Sequence, residues 1–100
     1  MRYFALSLST LAQEDMNLSY DFYENQSQNL GTHFYDTLIS DLDALRFYAG
    51  IHQRVFGYYR MITKRFPYAI YYDIEEDLVV VHAVLHTRMD MRLIEQRLRS

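Results

Sequence analysis

The residues best equipped for chemistry in this sequence are one histidine and a few cations in its second half. His86 and Arg88 are separated by a single residue, and an imidazole titrates near neutral pH, so His86 is a candidate general acid or base. Arg60 and Lys64 are four residues apart and share one face of a regular strand. If that face adjoins His86, the group could hold a phosphate and move protons, which is the chemistry of phosphodiester cleavage.

Structural interpretations compete with this catalytic one. His86 ends an apolar run, where a histidine is more often packed than catalytic. Arg60 and Lys64 could equally pair with acidic groups of the helices or of a partner protein. Asp15 and Glu24 are interpreted as helix-surface or capping charges rather than as acids of a site.

The histidines do not predict a metal site. His82 and His86 are four residues apart, so a regular strand would place both on one face. A zinc ion needs further ligands, and the sequence contains no cysteine and no His–carboxylate motif to supply them. We therefore expect no metal and no other cofactor.

Composition restricts the class of protein more firmly. A chain of 100 residues with three glycines and one proline has little room for linkers, so residues 1–100 are expected to form a single domain. Half of the residues are hydrophobic, which excludes disorder, and the lack of cysteine excludes a disulfide scaffold. The longest uncharged apolar run, Leu78 to Thr87, has ten residues, whereas a membrane span needs about 20. With no export signal at the start, we expect a cytoplasmic protein without a membrane partner.

The net charge of −3 conceals an asymmetry between the two halves of the chain. Residues 1–45 carry one basic and seven acidic side chains, which gives −6, and residues 46–100 carry nine basic and six acidic ones, which gives +3. An acidic balance argues against broad binding of nucleic acid, which needs a basic surface. A local basic face built from the second half stays compatible with the sequence.

The first half predicts one strand and two amphipathic helices. Thr10 with Gln13 fits a capping box, and Leu30-Gly31 offers a glycine where a helix could end or turn. Two helices with a short polar joint suggest an antiparallel hairpin. Apolar residues repeat at the spacing of each element: Phe4, Leu6 and Leu8 in the strand, Ala12, Met16, Tyr20 and Tyr23 with Leu11, Leu18 and Phe22 in the first helix, and Phe34, Leu38, Leu42 and Leu45 in the second.

The second half predicts three strands and a last helix. Strands are expected at residues 58–63, 68–74 and 78–86, separated by Phe66-Pro67 and by the turn Glu75-Glu76-Asp77. Asp90 is a candidate N-cap for the final helix. The order β-α-α-β-β-β-(α) predicts a small α+β domain with a mostly antiparallel sheet, a helical hairpin on one face and an open second face.

Several strings of this sequence resemble the RelE/ParE toxin superfamily, especially its ParE-like, plasmid-stabilisation members. The strongest match runs from Lys64 to Tyr72 and is preceded by Tyr59-Arg60. Residues 86–90 are similar to the family's His-x-Arg-Arg-Asp ending, with Met89 in place of the second arginine. The similarity spans nearly the whole chain, and its other strings are Ala12 with Asp15, Phe22-Tyr23-Glu24, and Leu30-Gly31 with Phe34.

The resemblance implies the toxin of a type II toxin–antitoxin module, neutralised by a cognate antitoxin. Two activities occur on this fold: RelE-like members cut messenger RNA in the ribosome, whereas ParE-like members poison DNA gyrase and are not nucleases. Assembly as a homo-oligomer, or as a hetero-oligomer with the antitoxin, is compatible with the sequence. The match is densest where tyrosines are concentrated, which implies binding of the target or the antitoxin through Lys64, Arg65, Tyr68, Tyr71 and Tyr72.

The set of residues that a nuclease of this superfamily would need is incomplete. The ribonuclease branch usually has an arginine in its third strand, and this sequence has no arginine between Arg65 and Arg88. Many of these nucleases also have a C-terminal tyrosine, which has no counterpart here. The chain also has a single lysine for contacts with RNA. We therefore expect a toxin that binds a protein target, with gyrase the leading candidate. The alternatives are a ribosome-dependent endoribonuclease using His86, Arg88 and Arg60, and a degenerate, inactive toxin.

Overall fold

A single five-stranded sheet, with two helices on one face and one on the other, forms the domain. A computed structural model describes residues 3–100. The strands lie in the order β1-β5-β4-β3-β2. The α+β class and the order of elements are confirmed. The elements are β1 Ala5–Leu8, α1 Thr10–Gln26, α2 Leu30–Tyr48, β2 Gln53–Val55, β3 Tyr58–Ile62, β4 Tyr68–Glu75, β5 Leu78–His86 and α3 Met91–Arg99.

Ser9, not Thr10, caps α1. Its backbone is extended and its Oγ accepts a hydrogen bond from the backbone N–H of Ala12 at 3.0 Å, which satisfies one of the free donors of the first turn. The same hydroxyl donates to the carbonyl oxygen of His82 at 3.3 Å. The capping box predicted for Thr10 with Gln13 is therefore wrong: the N-cap lies one residue earlier, and Ala12 at the third helical position has no polar side chain to complete a box.

The joint between α1 and α2 differs from the prediction at Gly31. No helix ends or turns there: α1 continues to Gln26, and Gly31 lies in the first turn of α2. Glu24 caps that turn, since its carboxylate accepts hydrogen bonds from the backbone N–H groups of Asn29 and Gly31 at 2.9 and 3.0 Å. A Cβ at Gly31 would lie 2.6 Å from the carbonyl oxygen of Tyr20, so glycine permits the close helix packing.

The sheet is mixed, with one parallel pair at the edge. β1 is parallel to β5, and the β2–β3, β3–β4 and β4–β5 pairs are antiparallel. β2 was not predicted: it forms a two-residue hairpin with β3 through Phe56 and Gly57, both at positive φ (53° and 86°). A phenylalanine at positive φ is unusual, so the sequence carried no hairpin signal there.

The sequence predicts that the second face of the sheet is open. This prediction is wrong, because α3 covers part of that face. Ile94 and Leu98 of α3 pack against Tyr71 and Leu85 of the sheet. The opposite face, under α1 and α2, holds the larger core, which includes Met16, Phe34, Leu38, Leu42, Leu45, Tyr68, Ile70, Tyr72, Val79 and Val81. The amphipathic pattern of α2 therefore predicts its buried side correctly. For α1 the prediction is correct at Ala12 and Met16 but wrong at Leu11, Leu18 and Phe22, which are exposed.

His82 and His86 lie on opposite faces of the sheet, so the prediction that they share one is wrong. Tyr71 pairs with Ala83 whereas Tyr72 pairs with Val81, which leaves His82 as the extra residue of a β-bulge. Its ring packs on Tyr58, on the α3 side, with ring centres 4.8 Å apart. His86 instead packs on Tyr68, on the side of α1 and α2.

Candidate protein-binding site

The loop from Thr63 to Pro67, between β3 and β4, presents the two adjacent cations predicted to bind a partner. Thr63 closes this loop: its backbone N–H donates to the carbonyl oxygen of Tyr68 at 2.9 Å, and its hydroxyl donates to that of Phe66 at 2.5 Å. The carbonyl oxygen of Pro67 accepts a hydrogen bond from the N–H of Thr87 at 2.8 Å. The loop is thus attached to the strands on both sides of it.

Phe66 anchors the loop to the helical hairpin. Its ring lies 5.1 Å from that of Tyr23 and 5.2 Å from that of Phe34, both in edge-to-face geometry. His33 packs on the outer side at 5.6 Å. Burial, with the neighbouring Tyr68, raises the pKa of Tyr23 to about 12, so the hydroxyl of Tyr23 keeps its proton at neutral pH. A rigid aromatic base therefore supports the exposed tip of the loop.

Lys64 and Arg65 form that exposed tip and face the acidic side of α2. A small polar pocket between the loop and α2 is lined by both cations and by Thr37, Ser40 and Asp41. Burial raises the pKa of Asp41, and the charges of Arg65 and Lys64 act in the opposite direction. The two cations project beside a partly buried carboxylate, an arrangement suited to a polar partner side chain.

His86 and Arg88 are brought together at the same end of the sheet. The Nδ1 atom of His86 accepts a hydrogen bond from the backbone N–H of Arg88 at 3.0 Å. Because a backbone N–H can only donate, the neutral imidazole carries its proton on Nε2. His86 and Tyr68 are direct neighbours across the β4–β5 ladder. The main-chain bond and the ring contact with Tyr68 both fit the packed interpretation of this histidine.

Arg60 does not join His86 and Arg88. It lies opposite Tyr71 in the β3–β4 ladder, and cross-strand partners share a face, so Arg60 lies on the α3 side of the sheet. His86 lies on the other side, with Tyr68. The three residues predicted as a catalytic set are therefore divided between two faces.

Tyr68, Tyr71 and Tyr72 belong to the core rather than the surface. Tyr71 and Tyr72 are 1% and 0% exposed, and Tyr68 is buried under α2 against Phe34. A partner that docks on the folded domain does not reach these rings. Of the five residues predicted for binding, Lys64 and Arg65 alone are exposed.

Two polar clusters were missed at the sequence level. Asp15 forms a two-pronged ion pair with Arg97 at 2.6 and 2.7 Å and accepts a hydrogen bond from the N–H of Val84. The hydroxyl of Tyr72 lies 2.5 Å from Nδ1 of His52 and accepts from the N–H of Gly50. Both join residues far apart in the chain, so local spacing carries no signal of them.

Within residues 3–100, no group of three or more histidines and carboxylates is placed to hold a metal ion. None of the helices in this range is long and apolar enough to cross a bilayer.

The topology, with its helical hairpin on one face and the parallel β1–β5 edge, is that of the RelE/ParE toxin superfamily. Residues 6–91 match the family described as "ParE toxin of type II toxin-antitoxin system, parDE", and the chain belongs to this family. The resemblance seen in the sequence is confirmed.

A solved structure described as "Chromosomal ParDE TA system from P. aeruginosa" is similar to this chain. The TM-score is 0.78 over 86% of this chain and 98% of that one, at 14% sequence identity, so the similarity concerns the fold. No curated protein matches the sequence.

Proposed function

We propose that this ParE-family toxin stops growth by binding a protein target, with DNA gyrase the leading candidate, and that a cognate antitoxin neutralises it. The observation that carries the proposal is the separation of Arg60 from His86 on opposite faces of the sheet. A ribonuclease must gather its acid, its base and its phosphate-binding cations around one bond. That requirement is not met by the three residues available for it, which favours a binding toxin.

The proposed contact with the target is made by the Lys64-Arg65 tip. Both cations are exposed on a loop whose backbone is fixed by hydrogen bonds and aromatic packing, so little backbone conformational entropy is lost when a partner binds them. Paired cations suit an acidic protein surface. Acidic residues of an antitoxin could bind the same two cations, and the antitoxin would then prevent the tip from contacting the target.

Induction of this chain without an antitoxin tests the proposed activity. We expect replication to stop and DNA damage signalling to rise while transcripts stay intact, and we expect the purified protein to inhibit supercoiling by gyrase in vitro. Cut transcripts with early arrest of translation would instead establish the endoribonuclease alternative. Growth that continues unchanged would establish the degenerate toxin.

The double variant Lys64→Ala with Arg65→Ala tests the tip. We expect the inhibition of gyrase to weaken by about tenfold or more, since exposed charged contacts at an interface contribute on the order of 1 kcal/mol each. Arg92→Ala with Arg99→Ala removes the same charge from α3, where both side chains are exposed, and should leave inhibition unchanged. If both double variants lost the same amount of gyrase inhibition, the effect would come from net charge alone, and specific binding through the Lys64-Arg65 tip would be contradicted.

A further inference from the structure

β1 is an edge strand, and among the described residues 3–100 some backbone groups on its outer side have no hydrogen-bond partner. Ala5 and Ser9 donate their N–H groups inwards, to the carbonyl oxygens of Asp77 and Val81. Successive residues of a strand point their backbone groups to alternate sides, so those of Leu6 and Leu8 point outwards. Within residues 3–100 no hydrogen bond reaches the N–H or the carbonyl oxygen of either residue.

The free part of this edge has defined ends. Phe4 also points its backbone groups outwards, but its N–H donates to the carbonyl oxygen of Arg46 at 2.8 Å and its carbonyl oxygen accepts from Nε of Arg46. After Leu8 the chain turns inwards at Ser9 and enters α1. The open edge therefore consists of one N–H and one carbonyl oxygen on each of Leu6 and Leu8.

This edge is short, with four residues, but it lacks the charges and the proline by which edge strands avoid pairing. The strand Ala-Leu-Ser-Leu has no charge and no proline. Beside it a groove between β1 and α2 is lined by Leu6, the half-exposed Ile39 and, at its rim, Asp43 and Arg46. At the other edge of the sheet, β2 has three residues and includes Arg54, so that edge is short and charged.

We propose that β1 pairs antiparallel with β1 of a second copy of this chain, about a two-fold axis that passes between the two Ser7 residues. Leu6 of each copy then lies opposite Leu8 of the other, and each such pair exchanges two hydrogen bonds. All the free backbone groups of the edge are satisfied, and none is left over in either copy. The result is a continuous sheet of two domains.

The charges around the edge fit a second copy. In a two-fold interface residue i meets residue j of the partner while j meets i, so the surface must complement itself. The rim of the groove carries one carboxylate, Asp43, and one guanidinium, Arg46, which pair with each other at 3.6 Å, so the rim is neutral and two copies meet there without net like-charge repulsion. The exposed apolar side chains of α1, those of Leu11, Leu18 and Phe22, do not meet this condition. Glu14 and Asp21 flank them, and α1 contains no basic residue to offset the repulsion between two copies.

Substitution at Ser7 tests the pairing without disturbing the fold, because its side chain is exposed and directly faces its own copy across the axis. In sedimentation of the purified chain up to about 1 mM, we expect wild type to form dimers with rising concentration. Ser7→Lys and Ser7→Glu, each alone, should weaken dimerisation by about tenfold or more through like-charge repulsion. An equimolar mixture of the two variants should restore it.

Gln28→Lys and Gln28→Glu are matched controls at an exposed loop position, and they should dimerise as wild type does. Thermal unfolding of each Ser7 variant shows whether the fold is kept. A wild-type chain that stays monomeric over the whole range would overturn the proposal. So would a Ser7→Lys chain that dimerises normally, or a mixture that fails to recover, since the contact would then lie elsewhere.

Discussion

The hydroxyl of Tyr72 joins a buried strand to the loop between α2 and β2 through Gly50 and His52. Gly50 donates to this hydroxyl, and the hydroxyl shares a second hydrogen bond with Nδ1 of His52. Burial lowers the pKa of His52 below its ordinary value of 6.5 and raises that of Tyr72 above 10.0. Both shifts favour the uncharged pair, so the contact is intact at neutral pH.

The stability of this contact is expected to fall in acid. Because the pKa of His52 is lowered in the folded state, the unfolded chain binds the proton first, and the free energy of unfolding decreases as the pH falls below the ordinary histidine value. His52→Gln should flatten this decrease between about pH 7 and about pH 5 in urea unfolding. His33→Gln, at an exposed histidine, should retain the wild-type slope. Parallel slopes in wild type and His52→Gln would contradict the assignment.

Breaking the buried ion pair of Asp15 with Arg97 should destabilise the domain far more than breaking the exposed Glu95–Arg99 pair on α3, because it leaves a buried charge without a partner. The side chain of Asp15 is 11% exposed and that of Arg97 is 19% exposed. Asp15 also accepts a hydrogen bond from the backbone N–H of Val84. We expect Asp15→Asn to lower the free energy of unfolding by about 2–3 kcal/mol. Glu95→Gln, which breaks the exposed pair with Arg99, should cost less than about 1 kcal/mol. If denaturant titrations gave similar losses in the free energy of unfolding for Asp15→Asn and Glu95→Gln, burial would not increase the cost of breaking the ion pair, and the prediction would be contradicted.

At the level of elements, the α1–α2 hairpin depends on the absence of a side chain at Gly31. A Cβ would meet the carbonyl oxygen of Tyr20 at 2.6 Å and the Cβ of Glu24 at 2.9 Å, so the helices must separate to admit it. We expect Gly31→Ala to lower the free energy of unfolding by about 2–3 kcal/mol. Gly57→Ala has open space but a positive φ, and should cost about 1 kcal/mol. Thermal unfolding of both variants separates crowding from backbone strain.

The elements predictable from the sequence are those with a regular apolar period. Phe34, Leu38 and Leu42 mark the buried side of α2, and the strand predicted at residues 78–86 is β5. β2 was not predictable, because Phe56 adopts a backbone conformation that its residue type disfavours. The faces of His82 and His86 were not predictable either, because a bulge arises from pairing between strands and not from local spacing.

At the scale of the molecule, the basic residues of the second half do not form one face. Lys64 and Arg65 lie at one end of the sheet, Arg60 lies on the α3 side, and Arg97 is neutralised by Asp15. Of the candidate site, the exposed pair Lys64-Arg65 was predictable from residue type. The burial of Tyr68 and its neighbours was not, since a tyrosine-rich strand suits a core and an interface equally.

If the Lys64-Arg65 tip steers the toxin to an acidic target, association should depend on salt. Raising the ionic strength shortens the range of the attraction, so inhibition of gyrase by the wild-type protein should weaken with added salt. The double variant Lys64→Ala with Arg65→Ala should show a smaller dependence. Inhibition measured over a salt series checks this, and identical salt dependence in both proteins would contradict steering by the tip.

The parallel pairing of β1 with β5 also determines when the domain can form during synthesis. The hydroxyl of Ser9 donates a hydrogen bond to the carbonyl oxygen of His82, 73 residues further along the chain. β5 lies between β1 and β4 in the sheet and pairs with both. Contacts so distant in sequence close late and slow folding. A ribosome must therefore release the chain as far as β5 before the sheet can close, so any toxicity that needs the folded domain begins only after residues 78–86 have emerged.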